Sequence, residues 1–170
     1  HNINGWRAFS RSGDLRKTLL AGYDIIIFQE TKLPQDPENM LLKSKIYNSD
    51  ITLARQIYKY RIYNGYVGKS NMLAHGVCVY SKLKPQHIEF DLQKLSTPSL
   101  GPGESVQDPH YVHILGEGRS ITVELEQELV LLASYVPSPQ HKPLPSSTAR
   151  DEYMRRAVEY FSSWTSPRPH

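Results

Sequence analysis

The run Ile25-Ile26-Ile27-Phe28-Gln29-Glu30-Thr31-Lys32 carries apolar side chains up to a carboxylate and, two residues on, an ammonium. An unbroken apolar run of this length, bounded by polar residues, suits a strand buried on both faces. Glu30 then stands at the strand's carboxyl end, where open α/β sheets bind their ligands. A carboxylate that merely ends a strand and faces water is an equal alternative on this segment alone. A second polar cluster opens the chain, where His1-Asn2-Ile3-Asn4-Gly5-Trp6-Arg7 reads as a strand tail, a glycine turn and a basic residue.

Several elements must deliver these groups. Leu15 to Ala21 reads as a short helix that Gly22 closes, and Tyr23 to Gln29 is the buried strand. Pro34 and Pro37 mark a loop, followed by a helix from Glu38 to Ser44. The alternation of Tyr60, Ile62, Asn64 and Tyr66 predicts a second strand, and His75 to Ser81 a third. Residues 84 to 118 are rich in proline and glycine and are expected to form a surface insertion. Arg119 to Leu125 and Leu129 to Val136 predict a hairpin around Glu126-Gln127-Glu128. After a second proline-rich loop, Ser147 or Thr148 caps a helix running to about Trp164. Its stripe of Met154, Ala157, Val158 and Phe161 is expected to pack against the sheet. No repeat or inter-domain linker is visible, so a single domain is expected.

Composition narrows the classes. At 170 residues the chain can bury a sizeable core. Its one cysteine, Cys78, lies in an apolar run and is expected to be a buried structural thiol. No apolar run is long enough to span a membrane, and no leader pattern is seen. The net charge of +3 is modest. Basic residues do cluster, with Arg7, Arg11, Arg16 and Lys17 near the start, then Lys59, Arg61, Lys69, Lys82 and Lys84. Such clusters suit phosphate binding, although any one of these residues more commonly belongs to a solvated mixed surface.

The wording Asn-Ile-Asn-Gly-x-Arg at residues 2 to 7, with Gln29-Glu30-Thr31-Lys32, resembles the endonuclease/exonuclease/phosphatase superfamily. Within it, the exonuclease III branch, the class II AP endonucleases, matches best. Further motifs follow in order. Gly118-Arg119-Ser120-Ile121-Thr122-Val123-Glu124 resembles the family's Gly-Arg strand, and Ala133-Ser134-Tyr135-Val136-Pro137 its strand ending in Tyr-x-Pro. His75-Gly76-Val77-Cys78-Val79-Tyr80-Ser81 looks like its Ser-Gly-Val strand without the preceding Gly-Tyr. The long stretch before Gly118 is similar to the AP endonuclease 2 subgroup.

The resemblance implies a four-layer α/β sandwich, here truncated to about its first half. It implies a divalent metal, Mg2+ with Mn2+ as the alternative, held by Glu30 with Asn2 as a neutral oxygen ligand or as the residue orienting metal-bound water. Magnesium takes oxygen ligands and is often held by one or two carboxylates plus water. Tyr135 would approach the scissile phosphate through its hydroxyl, with Arg7, Arg119 and Lys32 on phosphate oxygens. The implied substrate is DNA with abasic sites or blocked 3′ ends, the implied location the nucleus, with mitochondria a second site, and a sliding clamp a candidate partner.

Departures accompany these matches. Ser138 stands where the family has asparagine, the Gly-Asp-x-Asn and Ser-Asp-His motifs are missing, and His110 and His113 have no matching context. The chain by itself is therefore expected to show no meaningful turnover. The alternatives are a non-catalytic nucleic-acid-binding module or degenerate relative, and a phosphoesterase of another branch such as an inositol-lipid phosphatase or a sphingomyelinase.

Overall fold

The alternation of the first apolar run decides the architecture. The computed structural model describes residues 1–67, 73–90, 118–126, 129–136 and 147–165. Their order is α1 (Trp6–Arg11), α2 (Asp14–Leu20), β1 (Ile25–Gln29), α3 (Glu38–Lys43), α4 (Asn48–Ile57), β2 (Tyr60–Val67), β3 (Leu73–Ser81), β4 (Pro85–Phe90), β5 (Ser120–Leu125), β6 (Val130–Ser134) and α5 (Ser147–Thr165). Side chains alternate across a strand. Ile26 and Phe28 of β1, Cys78 and Tyr80 of β3, and Tyr63 of β2 therefore join Trp6, Leu15, Leu19, Ile51 and Ala54 of the helices in one core. Ile25, Ile27, Ile62, Val77 and Val79 face the other way and meet Ile121, Val123, Leu125 and Ala133 in a second core.

Two three-stranded antiparallel sheets result, ordered β1-β3-β2 and β4-β5-β6. The far face of the second sheet carries Ser120 and Thr122, both buried. There α5 seats Tyr153 on the Ser134 hydroxyl at 2.8 Å and Tyr160 on Glu89. Helices, sheet, sheet and helix make four layers, the expected four-layer α/β class.

Five local readings change. Ligands were expected at the carboxyl end of an open sheet, but β1 runs antiparallel to β3, so its carboxyl end meets the amino end of β3. Trp6–Arg11 is a helix directly after the glycine turn, and Asn48–Ile57 is a helix that no strong apolar period announced. Pro85–Phe90, within the stretch taken for an irregular insertion, is a strand that begins at its proline, where an edge strand tolerates one. On α5 the buried face is Tyr153, Ala157 and Tyr160, while Met154, Val158 and Phe161 are 39%, 60% and 39% exposed. The tyrosines take the inner face because their hydroxyls have partners on the sheet. Residues 91–117, 127–128 and 137–146 lie outside the described residues, and with them most of the expected insertion, the centre of the expected turn, His110, His113, Pro137 and Ser138.

The helix-side core hides a chain of hydroxyls. Trp6 Nε1 donates to the Tyr80 hydroxyl (3.2 Å), which bonds that of Tyr63 (3.0 Å), and Tyr63 donates to Glu38 Oε1 (3.3 Å). Glu38 in turn receives Arg61 Nε at 2.7 Å. Burial holds both phenols well above their usual range, so they stay protonated donors.

Cys78 is fully buried beside them, and burial likewise pushes its thiol up. The reactive thiolate is then not populated near neutrality. The native protein is expected to resist a disulfide reagent at about pH 8, and the unfolded protein to react fully; rapid native labelling would place Cys78 at the surface.

Gly65 sits at a bulge where the β2–β3 register shifts. A Cβ there would strike the Leu33 carbonyl and Pro34 backbone, whereas one at Gly13, which is turned to φ 79°, would meet open space. Gly65→Ala is expected to destabilise by about 3 kcal/mol or more through this backbone collision. Gly13→Ala is expected to cost about 1 kcal/mol from its left-handed backbone alone. Equal urea midpoints for the two variants would contradict the close packing at Gly65.

Candidate functional site

Strand ends converge on Glu30. The Gly5 N–H donates to the Glu30 carbonyl at 2.7 Å and Trp6 N–H to that of Thr31 at 2.8 Å. From the other side, Thr31 N–H donates to Gly76 (3.0 Å) and Lys32 N–H to His75 (2.8 Å). Three polar residues in this knot are forced into left-handed backbone: Glu30 at φ 58°, Lys32 at 50° and His75 at 52°, with Asn4 at 45° beside them. Such conformations cost about 1–3 kcal/mol each in non-glycine residues and gather at functional sites. Their cause here is visible. The chain must turn out of β1 and still give both faces of its peptide groups to two neighbours.

Those turns bring the side chains together. The Lys32 ammonium lies 2.5 Å from Asn4 Oδ1 and 3.2 Å from Glu30 Oε1. Glu30 is partly buried, its side chain 22% exposed. Asn2 lies close by in sequence, but its Oδ1 accepts the Asn4 N–H at 3.2 Å. The asparagine that reaches Lys32 is thus Asn4, which the motif reading passed over. Arg7 is half-buried on α1 and reaches Met40 Sδ at 3.5 Å, on the helical side of the turn.

The second sheet arrives through β6. Gln29 Nε2 donates to the Ser134 carbonyl at 2.5 Å, and Asn64 Nδ2 to that of Ser120 at 2.8 Å. Tyr135 follows β6, half-buried. Its phenol is raised by desolvation and by the Glu30 charge, against a smaller opposing pull from Arg119. Tyr135 therefore feels Glu30 across the sheet junction. Arg119 is 1% exposed, with its guanidinium over the Tyr135 ring at 5.3 Å and Nη2 3.2 Å from His75 Nε2. It faces this interior cluster and not solvent. His75 was missed from sequence because only the fold brings it to Arg119.

Of the basic surface expected from sequence, Arg16, Lys17, Arg61 and Lys82 are engaged by Asp50, Asp14, Glu38 and Asp24. No cluster of three or more His, Cys, Asp or Glu that could hold a metal occurs among the described residues. A hard cation nonetheless fits beside Glu30. One carboxylate and one carboxamide oxygen already converge on a positive charge, and magnesium often takes few protein ligands.

This layer order is the fold of solved exonuclease and AP endonuclease structures, of which the chain covers about half. No family model matches the sequence, and neither does any curated protein. Solved structures share the fold. The 3′ phosphatase NExo from Neisseria, bound to a product DNA hairpin, superposes with a TM-score of 0.60 at 18% identity, over 95% of this chain and 49% of that one. The 3′-5′ exonuclease NExo from Neisseria meningitidis gives 0.57 at 18%, over 95% and 50%. An AP endonuclease from Archaeoglobus fulgidus gives 0.51 at 20%, over 95% and 49%. The chain spans about half the length of these structures.

Lys32 and an incoming cation would compete for the same oxygens. Mn2+ binding, followed by the electron paramagnetic resonance of the free ion, is expected to tighten by up to about tenfold in Lys32→Ala, the scale of one removed like charge. It is expected to be lost in Glu30→Gln. Unchanged binding in Glu30→Gln would take the metal away from this carboxylate.

Proposed function

We propose that this chain carries part of the active site of a divalent-metal DNA phosphoesterase of the AP endonuclease and 3′-phosphodiesterase kind. One observation carries the reading: Glu30, held in left-handed backbone at a strand end, shares its ammonium partner Lys32 with Asn4. The ordered motifs and the fold of the DNA-processing neighbours support it.

A divalent cation at Glu30 would neutralise phosphate charge and activate water. The chain's own residues would do the rest. Glu30 would hold the cation, and Asn4 or Asn2 would add a neutral oxygen beside it. Tyr135 would donate its phenolic O–H in a hydrogen bond to a phosphate oxygen, since a phenol is ordinarily protonated near neutrality and desolvation raises this one further. Lys32, displaced from Glu30, offers its charge to the anionic strand, with Arg7 at the neighbouring helix. Arg119, expected from sequence to touch phosphate, acts from beneath.

We place the activity with a longer polypeptide, of which residues 1–170 supply one half of the catalytic domain. Within the exonuclease III branch we favour the AP endonuclease 2 type, a nuclear setting and abasic or 3′-blocked DNA as substrate. A sliding clamp would be recruited through regions outside this chain.

The test is Mg2+-dependent incision of a duplex oligonucleotide bearing one abasic analogue. This chain would be compared with one extended through the parent open reading frame. Only the extended chain is expected to cut, because losing a general base costs about 10²–10⁴-fold, and Glu30→Gln in it should abolish cutting. Robust nicking by residues 1–170 alone would overturn the division of the site. DNA binding by both chains without cutting by either would replace the enzyme with a binding module.

A further inference from the structure

Tyr135 stands just beyond the last residue of an edge strand, where a half-buried ring ordinarily keeps rotational freedom. Here three contacts remove it. Its N–H donates to the Arg119 carbonyl at 2.7 Å, which fixes the backbone. The Arg119 guanidinium lies over one part of the ring, and the His75 imidazole stands 5.8 Å from it, centroid to centroid, at 31°. Arg119 Nη2 and His75 Nε2 are 3.2 Å apart, so a nitrogen that accepts from arginine closes the group. With Nε2 accepting, the imidazole proton is assigned to Nδ1.

His75 also belongs to the Glu30 knot, because its carbonyl accepts the Lys32 N–H and its neighbour Gly76 accepts that of Thr31. Gly76 cannot be enlarged there, since a Cβ would lie 2.5 Å from Thr31 Oγ1. The backbone that turns Glu30 into the site is therefore the backbone that presents the His75 ring to Arg119. Arginine suits the middle position for a physical reason: its planar fork serves an acceptor and an aromatic face together, which a lysine's single ammonium does not.

We propose that His75 and Arg119 are positioning residues that lock the Tyr135 ring in one orientation relative to Glu30, joining the two sheets' contributions to a single phosphate-binding geometry. The functional meaning of that orientation rests on the reading of Tyr135 as the hydroxyl that meets phosphate. The lock itself is a property of the folded chain. Preorganisation of this kind removes the need to order the donor at the moment it is used.

The test is fluorine NMR on the full 170-residue chain carrying 3-fluorotyrosine, with Tyr135 identified among the 11 tyrosines by Tyr135→Phe. In the wild type, Tyr135 is expected to show a shielded fluorine environment and slow ring flipping. His75→Ala should speed its flipping at least about tenfold, out of the range of a packed ring, and move its signal toward that of an exposed tyrosine. His75→Gln, whose carboxamide oxygen can accept from Arg119, should restore most of the wild-type signal. Arg119→Gln should resemble His75→Ala, and Arg119→Lys should recover only part.

A purely structural role for His75 would disturb Tyr63 and Tyr80 of the helix-side core along with Tyr135 and show no rescue by glutamine. That result, or an unmoved Tyr135 signal in a folded His75→Ala, overturns the proposal. Should Arg119→Gln fail to fold, the alanine and glutamine variants at position 75 decide the matter. No metal or DNA enters the measurement. Failure of the incision assay therefore leaves the lock standing, and failure of the lock leaves the metal role of Glu30 standing.

Discussion

Everything near the site depends on peptide groups that serve two neighbours at once. Residues 30 to 32 give their carbonyls to the start of α1 and their N–H groups to the start of β3, through four bonds of 2.7–3.0 Å. In ordinary extended geometry successive carbonyls point to opposite sides, so those of Glu30 and Thr31 could not both reach the start of α1. The backbone is driven to positive φ at Glu30, Lys32 and His75, residue types that adopt it reluctantly. Buried peptide groups left unpaired would be costlier than this strain. The energetic preference of the backbone therefore dictates where the carboxylate, the ammonium and the imidazole point.

The two cores make that strain sustainable. On the helix side, Phe28, Tyr63 and Tyr80 meet edge to face with centroids 5.5–5.8 Å apart, an arrangement aromatic rings favour. The two tyrosine hydroxyls are satisfied inside the layer, so a polar chain from Trp6 to Arg61 crosses the core with each member paired. Between the sheets, the fit is made by small residues. A Cβ on Gly118 would lie 2.8 Å from the Gly65 carbonyl carbon, so the second sheet docks by direct backbone approach. Asn64 then bridges to Ser120 at the same place.

Sequence reading recovered five of the six described strands because β-branched and aromatic residues alternate or run together there, and it missed β4, which lies in a stretch rich in proline and glycine. It singled out Glu30 because a carboxylate ending an apolar run is conspicuous, and the structure places that carboxylate just past β1 beside Lys32. It passed over α4 because Asn-Ser-Asp-Ile-Thr-Leu-Ala-Arg-Gln-Ile mixes polar and β-branched residues, and only Asp50, Ile51 and Ala54 are buried from it. That helix is made by tertiary packing, including the 2.6 Å bond from Ser10 to Asp50. The stripe of Met154, Val158 and Phe161 misled because hydrophobicity alone ranks tyrosine below them, while hydroxyl partners on β4 and β6 gave Tyr153 and Tyr160 the inner face. Asn4, His75 and the burial of Arg119 were illegible for one reason: each depends on a neighbour at least 28 residues away.

The outer edges of β1 and β6 lie side by side with the exposed face of α5, bounding an apolar groove of about 700 Å³ lined by Ile27, Leu132, Met154, Val158 and Phe161. The junction above it is closed by a bond between residues 105 apart in the chain, Gln29 and Ser134. Contacts of such long sequence separation form late, because the intervening chain must first surrender its freedom. During synthesis on the ribosome, β1 and its apolar face must therefore wait until β6 emerges more than a hundred residues later. The helices and the β1-β3-β2 sheet can assemble from closer segments in the meantime. The nascent chain thus passes through a stage in which a sheet without its second layer stands open to water, and that stage is where a chaperone would find its grip.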